Sequence, residues 1–184
     1  MVLTKTPICN FGEKAHDFHL KGIDEKYYDL NNCAGKNGTI IMFICNHCPY
    51  VKAIIKDLVN DTNNLMKIGI NSVAIMSNDT KNYPEDSFEN MKLFAKENSF
   101  NFPYLIDETQ EVAKKYGAVC TPDFFGYNGK NELQYRGRIR ELKELRPMRS
   151  GNSELWNAMK MISETQKGPK VQIPSMGCNI KWIK

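Results

Sequence analysis

The run GTIIMFICNHCPYVKAII, residues 38–55, constrains the fold more than any other part of the chain. Its first part, GTIIMFI, is a continuous apolar run rich in β-branched side chains, which is typical of a strand buried on both faces. From Pro49 onward, apolar residues recur at helical spacing. Cys45 and Cys48, with His47 between them, therefore lie where a buried strand passes into a helix.

The remainder of the chain alternates between strand and helix patterns. Strands are predicted at 69–78 and 102–107, helices at 86–99, 108–117 and 152–166, and a hairpin around the sequence NGK at 128–130. Asp86 is the predicted N-cap of the helix at 86–99, with Glu89 completing a capping box. This order predicts an α/β fold with a mixed central β-sheet and helices on both faces.

The length of 184 residues suits a single domain, 1–184, with an N-terminal extension over 1–37 and a C-terminal tail over 167–184. The net charge of +4, without a run of basic residues, does not indicate a nucleic-acid or membrane partner. We find no secretory h-region and no apolar segment of membrane-spanning length, so we expect a cytoplasmic location, where thiols are kept reduced. Cysteines in that compartment are more often catalytic, metal-binding or buried than parts of a disulfide framework.

A cysteine pair at a strand-to-helix junction is suited to redox chemistry. The thiolate is the nucleophilic form of cysteine, and a helix N-terminus, an adjacent histidine and the CxxC spacing each lower a thiol pKa. All three influences act on Cys45, so we assign it as the attacking thiol and Cys48 as the resolving thiol. We assign His47 to stabilise the Cys45 thiolate, which makes the pair more oxidising.

Two other interpretations of this cysteine pair remain open. A CxxC pair can be half of a zinc site, but zinc usually takes four ligands and the chain has no second CxxC. The two thiols can also be buried side chains without chemistry, because free cysteine is among the most buried residue types. The strand–CxxC–helix context favours redox chemistry over both, and we predict neither a metal nor a cofactor.

The segment GAVCTPDFF, residues 117–125, is the second candidate part of the site. Thr121-Pro122 precedes a predicted strand, and X-Pro bonds can be cis, although trans bonds are more common. A cis Pro122 facing the cysteine pair would leave the Thr121 backbone available to orient a substrate chain by strand-like pairing. It would also bring Cys120 close to the pair.

Five segments that together cover nearly the whole chain resemble one protein family. They are FGEKAHDFHLKGIDEKYYDLNN, GKNGTIIMFICNHCPYVKA, GAVCTPDFF, LQYRGRI and SMGCNIKW. They resemble the peroxiredoxin-like branch of the thioredoxin superfamily, known as the alkyl hydroperoxide reductase/thiol-specific antioxidant family, and within it a subgroup with a CxxCP site. The resemblance implies a thioredoxin-like fold with a peroxiredoxin-like N-terminal extension. It also implies a nucleophilic Cys45, a resolving Cys48 and a cis-proline at Pro122.

The chain departs from the family pattern at two positions. Peroxiredoxins carry Thr or Ser three residues before the peroxidatic cysteine, whereas Cys45 stands three residues before Cys48. Thioredoxins carry a buried acid six residues before the first cysteine, where this chain has Thr39. Asp123 is the candidate that replaces this acid as proton acceptor for Cys48.

Three functions remain for comparison. The leading hypothesis is a thiol–disulfide oxidoreductase that acts on a protein or small-molecule disulfide and exchanges electrons with a dithiol reductant or oxidant protein. The second is a thiol peroxidase with antioxidant activity, which the missing Thr or Ser argues against. The third is a copper- or zinc-binding chaperone that uses the two thiols and His47. Cys120 and Cys178 are additional redox candidates, and Cys178 can resolve a disulfide, bridge two chains or pack where the tail docks.

Overall fold

The computed structural model describes residues 3–184. Its strands are β1 (Leu3–Lys5), β2 (His19–Gly22), β3 (Tyr27–Asp29), β4 (Gly38–Phe43), β5 (Ile70–Met76), β6 (Tyr104–Ile106), β7 (Cys120–Thr121), β8 (Asp123–Asn128), β9 (Leu133–Tyr135), β10 (Leu142–Lys143), β11 (Arg146–Pro147) and β12 (Met176–Asn179). Its helices are α1 (Leu30–Cys33), α2 (Pro49–Met66), α3 (Phe88–Glu97), α4 (Glu111–Tyr116) and α5 (Glu154–Thr165). A short 3₁₀ turn at Pro84–Asp86 precedes α3.

The central sheet has seven strands in the order β3-β2-β6-β5-β4-β8-β9. Strands β4, β5 and β6 run parallel, and the flanking strands pair antiparallel to their neighbours, so the sheet is mixed as predicted. The N-terminal segment adds the β2–β3 hairpin to one side of this sheet through the pairing of β2 with β6. The predicted extension is therefore built into the sheet.

Alternate side chains of β4 enter two separate cores. Ile40 and Met42 pack into a cluster with buried residues of α2, α3 and α5. Ile41 and Phe43 pack into a cluster with buried residues of α1 and α4. All six residues of β4 are buried, which explains the continuous apolar run, because a strand covered on both faces needs no polar alternation. These helices on both faces confirm the predicted thioredoxin-like α/β class.

The start of α3 differs from the sequence prediction. Ser87 is the N-cap, and its side chain accepts a hydrogen bond from the backbone N–H of Asn90. Asp86, the predicted cap, is fully buried and directs its carboxylate toward the loop that contains the two cysteines. The prediction of an Asp86 cap with a Glu89 capping box is therefore wrong by one residue, and the correction gives Asp86 a different role.

The C-terminal tail forms a second, three-stranded sheet in the order β1-β12-β7. Strand β12 pairs antiparallel with β7, so that Cys178 lies opposite Thr121 and Asn179 opposite Cys120. On its other side β12 pairs with β1. The tail thus adds a strand beside Thr121 and places Cys178 at the strand-to-helix junction. Within residues 3–184, none of the helices combines the length and apolar character needed to cross a bilayer.

Candidate active site

Cys45 and Cys48 lie in the short connection between β4 and α2. Strand β4 ends at Phe43, and the helix begins at Pro49 with Cys48 as its N-cap. Cys45 therefore stands before the helix rather than in its first turn. Both side chains are covered by protein, since Cys45 is 1% and Cys48 0% exposed. Exposure therefore does not distinguish the attacking thiol from the resolving thiol.

Thr121 contacts both sulfur atoms. Its Oγ1 lies 3.3 Å from Cys45 Sγ, and its carbonyl oxygen lies 3.2 Å from Cys48 Sγ. The hydroxyl can donate to a thiolate at Cys45, whereas the carbonyl can only accept from a protonated Cys48. The Thr121–Pro122 peptide bond is cis, as the resemblance implies. The Thr121 backbone, which we assigned to orient a substrate, is paired with β12 in this structure.

Cys178 makes the closest contact to the pair, with its Sγ 2.9 Å from Cys48 Sγ. It is 1% exposed and belongs to the same apolar cluster as Cys45 and Cys48. Cys120 is also buried, but its sulfur faces the carbonyl oxygen of Pro122 at 3.7 Å. Of the two additional redox candidates, the structure thus brings Cys178 into contact with the pair.

The negative charge of the reduced site is held mainly on Cys48. A hydrogen bond with Cys48, together with burial, raises the pKa of the Cys45 thiol. The same hydrogen bond lowers the pKa of Cys48 to about 5, and the Cys178 thiol adds to this effect against that of burial. Cys48 also stands at the helix N-terminus, where backbone N–H groups favour an anion. The prediction that Cys45 is the more acidic thiol is therefore wrong, because the hydrogen bond between the thiols favours the charge on Cys48 and because the helix begins at Pro49, four residues after Cys45.

His47 forms an ion pair with the buried Asp86. Its Nδ1 lies 2.7 Å from Asp86 Oδ2 and 3.9 Å from Cys45 Sγ. The hydrogen bond to Asp86 raises the pKa of His47, although burial opposes the shift. Burial likewise opposes, but does not overcome, the hydrogen bonds from His47 and Asn78 that lower the pKa of Asp86. An imidazolium is thus favoured beside Cys45 and is held there by Asp86, whose own charge raises the pKa of Cys45.

Asp86 also fixes the backbone of the cysteine loop. Its Oδ1 accepts hydrogen bonds from the backbone N–H groups of Asn46, at 2.8 Å, and His47, at 3.3 Å. Asn78 donates to its Oδ2 at 2.8 Å, and Tyr104 donates to the Asn46 side chain at 2.9 Å. Sequence reasoning missed Asp86 as a site residue. A signal was present in the sequence, because Ser87 beside Asp86 is also a suitable N-cap. With Ser87 as the cap, Asp86 is free to bind another partner.

Ligand atoms of Cys45, His47 and Asp86 lie within 4.8 Å of one another, a spacing that could hold a metal ion. However, Asp86 already accepts four hydrogen bonds through its two oxygens, and His47 uses Nδ1 for one of them. A metal bound by these three residues would have to replace the hydrogen bonds that shape the loop. Thiolate, imidazole and carboxylate are ligand types that zinc accepts. In this structure, however, Asp86 and His47 use these groups for hydrogen bonds that hold the cysteine loop.

Asp123, the candidate proton acceptor for Cys48, is engaged elsewhere. Its carboxylate accepts hydrogen bonds from the Arg136 guanidinium, at 3.0 and 3.4 Å. Burial raises the pKa of Asp123 to about 6, although Arg136 opposes this shift. The groups that face the Cys48 sulfur are instead Cys45, Cys178 and the Thr121 carbonyl.

Comparison with known proteins places this site in a family. A model described as the AhpC/TSA family matches residues 11–141. An uncharacterized conserved protein from Geobacillus kaustophilus is 40% identical, with a TM-score of 0.94, over 100% of this chain and 97% of that chain. A hypothetical protein from Sinorhizobium meliloti 1021 is 33% identical, with a TM-score of 0.90, over 98% of each chain.

A more distant likeness supports the fold alone. A secreted Mycobacterium tuberculosis disulfide oxidoreductase, homologous to E. coli DsbE, is 15% identical, with a TM-score of 0.56, over 69% of this chain and 88% of that chain.

The chain has no significant match among curated proteins. The matched range of the family model includes the cysteine pair and the cis-proline but ends before Cys178. The chain therefore belongs to the AhpC/TSA family, in the peroxiredoxin-like branch of the thioredoxin superfamily, whose members are generally thiol oxidoreductases and peroxidases.

Proposed function

We propose that the protein is a thiol–disulfide oxidoreductase in which Cys45 and Cys48 form the redox-active pair. The observation that carries the proposal is the position of both sulfur atoms against Thr121 of the cis Thr121–Pro122 bond, at 3.3 Å from its hydroxyl and 3.2 Å from its carbonyl oxygen. The hydrogen bond between the two thiols also lowers the pKa of Cys48 to about 5. At neutral pH the pair then holds one proton between two sulfur atoms. Such a pair supplies a thiolate for attack and a second thiol for release, and its titration belongs to both residues together.

Cys45 becomes the nucleophile when its proton passes to Cys48 along their hydrogen bond. The contacts of Thr121 support this shifted state, since its hydroxyl can donate to the Cys45 thiolate and its carbonyl can accept from the Cys48 thiol. The His47 imidazolium favours negative charge on Cys45, because it is the nearest cation to that sulfur among these groups. Cys48 thus acts as an internal base for Cys45.

The catalytic cycle then follows ordinary disulfide exchange. The Cys45 thiolate attacks one sulfur of a protein or small-molecule disulfide, and the first substrate thiol leaves with the proton held by Cys48. The Cys48 thiolate attacks Cys45 Sγ, the second substrate thiol leaves with a proton from solvent, and the Cys45–Cys48 disulfide remains. A dithiol protein reduces this disulfide by the same steps in reverse.

The test is equilibration of the full-length protein with glutathione redox buffers, followed by acid quenching, alkylation and disulfide mapping. We expect a two-electron transition in the wild type, and in Cys178→Ser, which lacks the tail thiol, this transition should map to Cys45–Cys48. Cys45→Ser should lose this disulfide. Cys33→Ser is the matched control, because Cys33 is buried in the core on the opposite face of the sheet. The proposal fails if Cys45 and Cys48 do not join in Cys178→Ser at any buffer composition.

A thiol peroxidase is the second candidate, and one observation favours it. By resemblance Cys48 takes the place of the peroxidatic cysteine, and it is the thiol with the lowered pKa. Peroxide would oxidise Cys48 to a sulfenic acid, which a neighbouring thiol would convert to a disulfide. We would measure hydrogen peroxide consumption by the wild type and label the sulfenic acid with dimedone in a Cys45→Ala, Cys178→Ala double variant, which leaves no neighbouring thiol of the site to resolve it and introduces no hydroxyl. Labelling no faster than that of a free cysteine would exclude this candidate.

A further inference from the structure

The C-terminal strand β12 occupies the place at which a bound chain would pair with Thr121. Gly177 fits closely there, since a Cβ at this residue would lie 2.0 Å from the Thr121 carbonyl oxygen. Ser175 donates a hydrogen bond of 2.7 Å to the carbonyl oxygen of Pro122, which fixes the approach of the strand. Through these contacts the tail presents Cys178 as a bound substrate would present a cysteine.

The Cys48 and Cys178 thiols are placed close enough to join. Their sulfur atoms are 2.9 Å apart, about 0.9 Å longer than a disulfide bond. Both side chains are buried in one apolar cluster, so neither has an open route away from the other. The two residues are 130 positions apart in sequence, and their contact results from the pairing of β12 with β7.

We propose that Cys178 is a third redox thiol, which takes over the disulfide first formed between Cys45 and Cys48. The inference rests on the proposed function, because that disulfide is its starting point. The Cys178 sulfur attacks Cys48 Sγ, the Cys45–Cys48 bond breaks, and a Cys48–Cys178 bond forms. The proton that Cys178 loses ends on Cys45. One disulfide replaces another, so no further oxidant or reductant takes part.

Besides burial, the charge on Cys48 limits the reactivity of Cys178 in the reduced site. In the reduced site, burial and the hydrogen bond with Cys48 raise the pKa of Cys178 to about 12, which makes it a poor nucleophile. Once Cys48 is part of a disulfide it carries no negative charge, and its contribution to this shift is lost. Lys181 still favours the Cys178 thiolate. The tail thiol therefore gains reactivity only when a disulfide is present for it to attack.

The product of this exchange differs from an ordinary oxidised CxxC pair. The tail is covalently fixed over Cys48, and Cys45 returns to the thiol form beside His47 and Thr121. The oxidised protein therefore carries a free cysteine that can attack a further disulfide, while a reductant would act on the Cys48–Cys178 bond. A two-cysteine site has no such state.

The experiment follows the order in which disulfides appear in the reduced, full-length protein. We would add an equimolar amount of oxidised glutathione, quench with acid at successive times, alkylate and map disulfides by mass spectrometry. In the wild type we expect Cys45–Cys48 to appear first and then to decline as Cys48–Cys178 accumulates and Cys45 becomes open to alkylation. Cys178→Ser should stop at Cys45–Cys48. Cys120→Ser is the matched control and should behave as the wild type.

The outcomes separate the two proposals. If Cys45–Cys48 forms and Cys48–Cys178 never follows, the inference is overturned and the proposed function stands. If Cys45–Cys48 forms neither in the wild type nor in Cys178→Ser, the proposed function fails and the inference fails with it. A disulfide between Cys45 and Cys178 would also overturn the inference, because it would show that the tail reacts with the wrong sulfur. The wild-type time course needs no substitution, so misfolding of a variant cannot obscure the result.

Discussion

Replacing Asp86 by asparagine tests the ion pair that holds His47 beside Cys45. The Asp86 carboxylate accepts hydrogen bonds from two backbone N–H groups at Oδ1 and from His47 and Asn78 at Oδ2. Asn78 cannot turn its amide, because its Oδ1 accepts from the backbone N–H of Lys181 at 2.8 Å. The NH₂ group of the introduced asparagine can take the place of either Asp86 oxygen. In both cases it faces at least one of these hydrogen-bond donors, and that hydrogen bond is lost.

The expected loss of stability follows from this geometry. Removing one partner of a buried ion pair costs about 3–5 kcal/mol, which lowers Tm by on the order of 10 °C for a chain of this size. The loss depends on pH. The raised pKa of His47 contributes stability that is fully present below its unfolded value of about 6.5 and is lost as pH rises through the folded value. The lowered pKa of Asp86 contributes stability that is present above about 3.9 and is lost as pH falls through the folded value.

The assay is urea unfolding of the reduced wild type and Asp86→Asn from about pH 5 to about pH 9, with an NMR titration of His47 assigned through His47→Ala. The difference in unfolding free energy should be largest near the acidic end and narrow as His47 loses its proton. The pKa of His47 should fall in Asp86→Asn. Glu164→Gln is the control, because its exposed pair with Lys160 should contribute less than about 1 kcal/mol. The reasoning is refuted if the His47 pKa is unchanged and Asp86→Asn is no less stable than this control.

Three further predictions concern the thiols. His47→Ala should make the Cys45–Cys48 couple more reducing by on the order of 30 mV, equivalent to about 1.4 kcal/mol of lost thiolate stabilisation, in glutathione equilibration. An unchanged or more oxidising potential would contradict the role of the imidazolium. Thr121→Val removes the hydroxyl beside Cys45, so reaction with oxidised glutathione should slow by up to about tenfold, the value of one hydrogen bond. An unchanged rate would show that the hydroxyl does not support the attacking thiolate. Gly177→Ala places a Cβ against the Thr121 carbonyl and should displace β12, so alkylation of Cys48 should accelerate. If Cys48 stays as protected as in the wild type, β12 is not what covers it.

The strand-to-helix junction could be predicted because its causes are local. The apolar run that we assigned to a strand at 38–44 becomes β4 at Gly38–Phe43, and the helix begins at Pro49 as expected. Gly117 ends α4 in a left-handed conformation, which its position after a short helical pattern indicated. The spacing of apolar residues and the residues that begin or end a helix depend only on near neighbours in the chain, so they can be read from the sequence.

Asp86 could not be assigned from local pattern. An acid and a serine before an amphipathic run are both acceptable caps, and either choice satisfies the same helix N-terminus. The structure gives the cap to Ser87 because Asp86 is needed 39 residues away in sequence, at the backbone of His47. The distribution of charge between Cys45 and Cys48 escaped prediction for a similar reason. It depends on a thiol brought in by the tail, at a register that no local signal specifies.

The two sulfur atoms of the pair are approached from different sides, and this bears on how substrate and tail share the site. His47 retains 20% side-chain exposure and, with Asn46, lines a cavity of about 580 Å³, and its Nδ1 lies 3.9 Å from Cys45 Sγ. Cys48 is instead covered by Cys178 and the Thr121 carbonyl. We expect an external disulfide to enter beside His47 and to reach Cys45 without displacing β12. If substrate had to enter through the tail, Gly177→Ala would speed both alkylation of Cys48 and turnover. If it enters beside His47, the same substitution speeds alkylation but leaves the first attack by Cys45 unchanged.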